Sequence, residues 1–311
     1  MTAAPWSTDR PLGPELAARL IEAQCPELAP VTAESMAEGW DFEAFTVNRE
    51  WIFRFPKRAG VVPFLESELR LLEALPELPL QVPRYRWRGR PTEEFPYPFA
   101  GYRRIEGTDA LHMDARELAE QDVRNLGAFL TALHAFPVER AVEFGLPGDV
   151  RPTCTMSGMF QRAKDRLLSV VGAAPRELAD RCAAFVHDEA GVPDERREPP
   201  VPAHNDIWEE HIIVSAEAPH RIVGVIDWSD AAVGDPAIDL AGLCHWGGDT
   251  LVDAVLEHYG APVDAGLRRR VRFVTVCLCF IDVDCGVRWR GDAYTRMGLD
   301  ALQRVFAESG T

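Results

Sequence analysis

Apolar and polar positions alternate in short runs through the first hundred residues. The pattern predicts an opening helix over residues 14–24 and two strands over residues 45–47 and 51–55. A second helix is expected over residues 64–75, and the proline- and aromatic-rich stretch 82–102 is typical of edge strands. Together these elements predict a small N-terminal lobe that is rich in β-structure.

The rest of the chain has mainly the period of helices. Apolar residues between Leu126 and Leu133 recur at the spacing of one helix face, residues 158–188 carry further helical segments, and the chain from Asp235 onward is expected to be helical. The remaining segments are predicted to be a polar loop over residues 191–202 and short strands over residues 212–214 and 222–226. The sequence therefore predicts an α+β protein with a larger, mainly helical second lobe.

Composition limits the kinds of partner. The 311 residues include 47% hydrophobic and 26% charged residues, which suits a protein with a real core, and the net charge is −16. This acidic balance argues against nucleic-acid binding and favours a cationic small-molecule partner. The apolar stretch 273–281 is too short to span a bilayer, and residues 1–6 lack the pattern of a signal peptide. We therefore expect a cytoplasmic protein, monomer or homodimer, with no membrane partner.

Several common motifs are missing from the sequence. Among the 33 basic residues only Lys57 and Lys164 are lysines, and neither follows a glycine, so there is no P-loop of the usual kind. The chain also has no G-x-G-x-x-G fingerprint and no G-x-S-x-G nucleophile elbow. The cysteines at 277, 279 and 285 lack further ligands at zinc spacing, and we expect inert, reduced thiols.

A dense group of polar residues surrounds the two predicted strands after residue 210. His204-Asn205-Asp206 and His211 precede the first strand, and Asp227 follows the second. A hairpin of these strands can bring Asp206, His211 and Asp227 together. One carboxylate can then accept a proton from a hydroxyl while the other two groups hold a cation that bridges phosphates. Alternatively, these residues and His204 are the ligands of a metal-dependent hydrolase.

The same residues carry a family resemblance. The motif His204-Asn205-Asp206-x4-His211, with Val225-Ile226-Asp227-Trp228-Ser229-Asp230 and Gly234-Asp235-Pro236-x2-Asp239-Leu240, resembles the aminoglycoside/macrolide phosphotransferase family. The resemblance implies a bilobal protein-kinase-like fold. It divides the chain into a nucleotide-binding lobe at 1–102, a hinge at 103–107 and a catalytic and substrate-binding lobe at 108–311.

The resemblance also assigns roles in the second lobe. Asp206 stands at the position of the catalytic base, and His211 and Asp227 stand at the positions of the Mg²⁺ ligands. Most members of the family have asparagine where this chain has His211. Histidine there is similar to the aminoglycoside 2″-phosphotransferase and macrolide 2′-phosphotransferase branches.

In the first lobe the resemblance points to a site for ATP or GTP. The turn at residues 38–41, which contains Gly39 and Trp40, matches the loop that covers the nucleotide. Alternation along the strand puts Arg54 on the face opposite Phe53 and Phe55, at the position of the family's phosphate-binding lysine. The other nucleotide-binding residues that the resemblance implies are Glu68 as the partner of Arg54, Lys57 as a rival phosphate ligand, and Arg103 and Ile105 in the hinge.

We therefore expect a kinase that phosphorylates a hydroxyl of an aminoglycoside-type antibiotic. The alternatives are a macrolide 2′-phosphotransferase, a small-metabolite kinase of the same fold, the hydrolase described above and a catalytically inactive binding module. Carboxylates and aromatic faces of the second lobe are candidates to bind a cationic acceptor: Asp230, Asp249, Asp282, Asp284, Trp289, Asp292 and Tyr294.

Overall fold

The chain forms two compact units in a computed structural model that describes residues 7–36, 39–148, 155–194 and 199–308. The first unit comprises the residues up to 75 together with residues 81–106, and the second comprises residues 76–80 and the residues from 107 onward. The predicted residue Glu38, at the start of the nucleotide-loop turn, lies outside the described ranges.

The first unit is built on an antiparallel five-stranded sheet with the order β1-β2-β3-β5-β4. One helix precedes the sheet and a second follows its third strand. The elements are α1 (Pro14–Gln24), β1 (Ala33–Ser35), β2 (Phe42–Val47), β3 (Trp51–Pro56), α2 (Val62–Ala74), β4 (Tyr85–Gly89) and β5 (Phe99–Arg103).

The hairpin of β2 and β3 defines the two faces of this sheet. Its turn residues Asn48 and Arg49 have φ angles of 49° and 63°, the left-handed backbone that a tight hairpin requires. Phe53 and Phe55 enter an aromatic core beneath α1, whereas Arg54 points to the face covered by α2, so the predicted alternation is confirmed. The strands are longer than predicted, because Phe42 pairs with Pro56 at the end of the ladder.

The second unit is mainly helical. Its strands form two small antiparallel sheets, one with the order β6-β8-β9 and one of β10 with β7. The elements are β6 (Thr108–Asp109), α3 (Glu120–His134), α4 (Val138–Glu143), α5 (Met156–Lys164), α6 (Leu167–Ala173), α7 (Arg176–His187), β7 (Val201–Ala203), β8 (Ile212–Val214), β9 (Ile222–Val225), β10 (Ala232–Gly234), α8 (Ala237–Leu256), α9 (Leu267–Cys285) and α10 (Asp292–Glu308).

The core of the second unit forms around α8. This helix carries a nearly continuous buried run from residue 237 to residue 246 and packs against α9, α10 and α3. The predicted loop over residues 191–202 is wrong at its end, because Val201–Ala203 pairs with Ala232–Gly234 as a short strand. A three-residue strand that contains a proline has no usable alternation. In the ranges that the structure describes, no helix is long and apolar enough to cross a membrane.

Two expected features of the fold are therefore present, the fold class and one hairpin. The α+β class, with a sheet-based first unit and a mainly helical second unit, is confirmed. The hairpin of β8 and β9 is also confirmed, with Ile212 opposite Val225.

Candidate active site

The loop between β7 and β8, residues 204–211, is held by one carboxylate of α8. Asp239 Oδ2 accepts the backbone N–H of His204 at 3.0 Å, and Oδ1 accepts that of Asn205 at 2.6 Å. Asn205 has a left-handed φ of 71°, a conformation that asparagine tolerates better than most residues. The two bonds therefore hold the loop in its bend directly before Asp206.

Asp239 is itself fixed from the opposite side. Its side chain is fully buried and lies 3.0 Å from His134 Nε2, and His134 Nδ1 lies 2.7 Å from the hydroxyl of Tyr259. Burial raises the pKa of Asp239, but the contacts with His134, His204 and Asn205 outweigh it and the pKa lies below its usual value. Asp239 has no role of its own in the predictions from the sequence, although its spacing after Gly234-Asp235-Pro236 is a signal that could have identified it.

The backbone of α8 also lies against the backbone of the loop of residues 204–211. A Cβ atom at Gly242 of α8 would overlap the carbonyl oxygen of Ile207. Glycine at 242 therefore lets the helix approach the loop closely, one turn after Asp239.

His204 supports the loop with both ring nitrogens. Its Nε2 lies 3.0 Å from the carbonyl oxygen of Ile226, and its Nδ1 accepts the backbone N–H of Asp206 at 3.3 Å. Burial lowers the pKa of His204 to about 4, so the ring is neutral at physiological pH. Because both nitrogens are occupied, His204 is not available as a ligand, which weakens the metal-dependent hydrolase alternative.

The structure brings Asp206, His211 and Asp227 together at the open end of the β8–β9 hairpin, where β8 begins and β9 ends. His211 Nδ1 lies 3.2 Å from Asp206 Oδ2, and His211 Nε2 lies 3.8 Å from Asp227 Oδ2. Asp227 has a left-handed φ of 59° immediately after β9 and accepts a hydrogen bond of 2.9 Å from Ser229 Oγ. Two left-handed non-glycine residues, Asn205 and Asp227, therefore flank this cluster, and such backbone strain is concentrated at functional sites.

The charges of this cluster shift its proton affinities. Burial raises the pKa of Asp206 well above its usual value; the neighbouring His211 lowers it, and Asp230 and Asp227 raise it further. Burial lowers the pKa of His211, but the facing carboxylates of Asp206 and Asp227 outweigh burial and raise the pKa to about 9. A carboxylate with a raised pKa is a stronger base toward a hydroxyl group.

The chemistry of the same residues fits a divalent cation. His211 Nδ1 lies 2.8 Å from the carbonyl oxygen of Asp206 and 3.1 Å from the indole Nε1 of Trp208, whose N–H points toward it. His211 Nε2 faces Asp227, and it can bind a cation once it has lost its proton. His211 Nε2 lies 3.8 Å from Asp227 Oδ2, so these two side chains are the ones that would hold such an ion. No group of three or more such ligands occurs in the described ranges, and Mg²⁺ usually takes its other ligands from phosphate and water.

The first unit carries its own candidate residues. Arg54 Nη1 donates to both oxygens of Glu68, at 2.7 and 2.9 Å, in a pair whose side chains are nearly buried. Lys57 is also buried and donates from Nζ to the carbonyl oxygen of Gly39 at 2.8 Å. Trp40 is 42% exposed. The structure therefore joins Arg54 to Glu68 and ties Lys57 to the loop that contains Gly39 and Trp40.

The two hinge candidates lie at the end of β5. Arg103 is exposed and pairs with Trp51 across the sheet, and Ile105 is buried. Their backbone is held by a bond of 2.8 Å from the N–H of Arg104 to the carbonyl oxygen of Glu50.

The acceptor candidates do not form one group. Asp230 is half-buried and acts electrostatically on Asp206. Asp249 pairs with Arg272, and Asp284 accepts hydrogen bonds from Ser169 and Arg288. Trp289 is 37% exposed and Asp292 is exposed at the start of α10. Tyr294 donates its hydroxyl to Glu210, which sequence reasoning missed because an isolated glutamate beside His211 carries no motif.

Asp282 belongs to a buried cluster around His245. His245 Nδ1 lies 3.4 Å from Glu209 Oε2, and Nε2 lies 3.2 Å from Asp282 Oδ2. Burial lowers the pKa of His245, but Glu209, Cys279 and Asp282 raise it well above its usual value. Arg304 adds a donor to the backbone oxygen of His245 at 3.3 Å. The cluster ties the loop of residues 204–211, through Glu209, to α8 and α9.

Fold and site together define a phosphotransferase of the protein-kinase-like fold. A model of the Phosphotransferase enzyme family matches residues 32–274, most of the chain, and the chain belongs to that family. The family resemblance, the fold class and the assignment as a kinase are therefore confirmed.

Two curated proteins and one solved structure illustrate what the chain is similar to. The chain is 26% identical over 282 residues to the uncharacterized protein YcbJ of Bacillus subtilis (strain 168), covering 85% of this chain and 87% of YcbJ. It is 27% identical over 166 residues to viomycin phosphotransferase of Streptomyces vinaceus, covering 50% of this chain and 51% of that enzyme. The GDP complex of wild-type aminoglycoside 2′-phosphotransferase-IIIa superposes with a TM-score of 0.70 at 25% identity, covering 96% of this chain and 100% of that one.

Proposed function

We propose that the protein is a Mg²⁺-dependent O-phosphotransferase that moves the γ-phosphate of ATP or GTP to a hydroxyl of an aminoglycoside-type antibiotic. The observation that carries this proposal is the convergence of Asp206, His211 and Asp227 at one end of the β8–β9 hairpin. Membership of the phosphotransferase family supports the reaction, and the GDP bound to the similar solved structure supports a nucleotide donor.

Asp206 acts as the base in the proposed reaction. Its side chain is about one third exposed, so a hydroxyl can reach the carboxylate and pass its proton to it. The hydroxyl oxygen then attacks the γ-phosphorus, the bond to the β-phosphate oxygen breaks, and the nucleoside diphosphate leaves. Asp239 and His204 hold the base in place through the loop backbone.

His211 and Asp227 would hold the Mg²⁺ ion, which would supply positive charge to stabilise the phosphates. Within the first unit, Arg54 is the proposed phosphate-binding cation. Its guanidinium stays charged at every physiological pH and is oriented by Glu68. Lys57 positions the loop at Gly39 and Trp40 through the Gly39 carbonyl oxygen.

An aminoglycoside acceptor suits the charge of the protein. The net charge of −16 attracts a polycation, and the carboxylates of Asp230 and Glu210 lie beside the proposed base. The similar solved structure is named as an aminoglycoside phosphotransferase, which supports the same class of acceptor. A cytoplasmic location, where ATP and GTP are available, is part of the proposal.

The test is nucleotide turnover by the purified protein. ATP or GTP and Mg²⁺ are supplied with a panel of aminoglycosides and macrolides, and release of ADP or GDP is measured. We expect turnover that one or more aminoglycosides stimulate. Stimulation by macrolides alone would move the acceptor to the other class, and bound nucleotide without any stimulation would point to a metabolite. A protein that binds neither nucleotide would contradict the proposal.

A matched pair of variants tests the base. Asp206→Asn should lower kcat by about 10²–10⁴-fold and leave nucleotide affinity near that of the wild type, because only proton transfer is removed. Asp253→Asn is the control, since Asp253 forms an exposed pair with Arg268 on the same unit. An Asp206→Asn enzyme with the turnover of the wild type would show that the base has been assigned wrongly.

A further inference from the structure

A tyrosine joins the ion pair of Arg54 and Glu68 in the first unit. The Tyr85 hydroxyl on β4 donates to Glu68 Oε1 at 2.8 Å, and Arg54 Nη1 donates to the Tyr85 oxygen at 3.3 Å. Arg54 also donates to Glu68, so each of the three side chains contacts the other two. The sequence offered no motif that pointed to Tyr85.

The surroundings make this contact significant. The Glu68 side chain is fully buried and the Arg54 side chain is 8% exposed, so the ion pair is removed from water. A buried carboxylate is stable only when several donors satisfy its oxygens, and Tyr85 supplies a neutral donor at one of them. Burial and then the charge of Glu68 raise the pKa of Tyr85 well above its usual value, so the hydroxyl keeps its proton.

An arginine needs this kind of support more than a lysine. Both of these bonds to Glu68 leave from Nη1, the nitrogen that also contacts the Tyr85 oxygen, so Tyr85 and Glu68 act on the same end of the guanidinium. The Phe42 ring lies 4.1 Å from the Arg54 carbon Cζ on one side, and the Tyr85 oxygen contacts Nη1. These two contacts restrain the plane.

We propose that Tyr85 is a positioning residue for the donor nucleotide, which orients the Arg54 guanidinium toward the phosphates through Glu68 and by direct contact. The proposal rests on the proposed function, because it takes Arg54 as a phosphate-binding cation. Tyr85 itself touches neither nucleotide nor acceptor in this role. Its effect is therefore expected on the phosphates and not on the base or sugar of the nucleotide.

The experiment compares a nucleoside triphosphate with its nucleoside. Binding of ATP and adenosine, and of GTP and guanosine, is measured by calorimetry with the full-length protein and its Tyr85→Phe variant. The Tyr85 ring packs edge-on against Tyr102 at 5.1 Å, so phenylalanine preserves the packing. The matched control is Tyr97→Phe, which removes a tyrosine–carboxylate bond to Asp9 of 2.8 Å outside this cluster.

We expect Tyr85→Phe to weaken triphosphate binding about tenfold and nucleoside binding less than twofold, the range for a lost hydrogen bond to a charged group. Tyr97→Phe should change neither. In an Arg54→Lys background the tyrosine substitution should change triphosphate binding less than twofold, because an ammonium group has no plane to orient.

The outcomes separate this inference from the proposed function. Equal losses for triphosphate and nucleoside would mean that Tyr85 only supports the fold, and a full tenfold loss in the Arg54→Lys background would refute the orientation argument. No loss in Tyr85→Phe would also overturn it. A wild-type protein that binds neither ATP nor GTP would contradict the proposed function itself, and this inference with it.

Discussion

Replacing Asp239 by asparagine should loosen the loop of residues 204–211, which carries the proposed base. Asp239 itself is not proposed to touch a substrate. The aspartate accepts two backbone N–H groups of the loop and contacts His134, and its side chain is fully buried. Asparagine has the same shape but no charge, and it retains a single acceptor oxygen. One loop N–H, of His204 or Asn205, is then left without its acceptor.

The expected cost follows from these contacts. A hydrogen bond to a charged group contributes about 1.5–3 kcal/mol, and removing a buried ionic partner costs about 3–5 kcal/mol. Asparagine preserves part of this, so we expect Asp239→Asn to lower the free energy of unfolding by about 2–3 kcal/mol. Because the folded-state pKa of Asp239 is lowered, its contribution is present above the ordinary value near 3.9 and is lost as pH falls through the folded-state pKa.

Amide hydrogen exchange measures the effect at the loop. Exchange of the His204 and Asn205 amides should accelerate about 30–160-fold in Asp239→Asn at pH 7, since each 1.36 kcal/mol is a factor of ten. Asp253→Asn on the same helix breaks an exposed pair and should change these amides less than threefold. A folded Asp239→Asn protein whose loop exchanges at the wild-type rate would show that Asp239 does not hold the loop.

Three further substitutions test separate features. His245→Gln should lower the free energy of unfolding in urea by about 3 kcal/mol at pH 6 and by less at pH 9. The reason is that a histidine with a raised folded-state pKa contributes its full stabilisation below about pH 6.5 and loses it as the pH rises through the folded-state pKa. An equal loss at both pH values would contradict this. Asn205→Gly should change the melting temperature little, whereas Asn205→Val should cost about 1–2 kcal/mol, because φ is 71° there. Gly242→Ala should destabilise by about 2–4 kcal/mol in urea unfolding, since its Cβ would overlap the Ile207 carbonyl oxygen; wild-type stability would refute the close approach.

The elements with strong periodicity could be predicted from the sequence. The opening helix runs from Pro14 to Gln24, as expected, because a proline start and an apolar stripe mark it. The strand of residues 51–55 and the hairpin after residue 211 were also predictable from β-branched and aromatic runs. Short strands such as Val201–Ala203 were not, because their pairing partners lie about thirty residues away and three residues show no period.

The residues of the candidate site that belong to a motif could be predicted from the sequence. Asp206, His211 and Asp227 stood out because their spacing matched a motif, and the structure places them within one cluster. The supporting residues did not stand out. Tyr85 and His134 belong to no motif, and only tertiary packing brings them to Glu68 and Asp239.

The proposed donor site has an arginine, Arg54, in place of a lysine, so reagents that react with amines do not modify this side chain. A guanidinium that stays protonated does not acylate, carbamylate or form Schiff bases under conditions where a lysine does, and it is not a substrate for lysine acetylation. Reagents or modifying enzymes that silence kinases through a phosphate-binding lysine therefore have no target at Arg54. In a sequence with only two lysines, the one amine near this region is Lys57, whose Nζ is already bound to the Gly39 carbonyl oxygen. A covalent inhibitor of this enzyme would have to be designed around a different nucleophile.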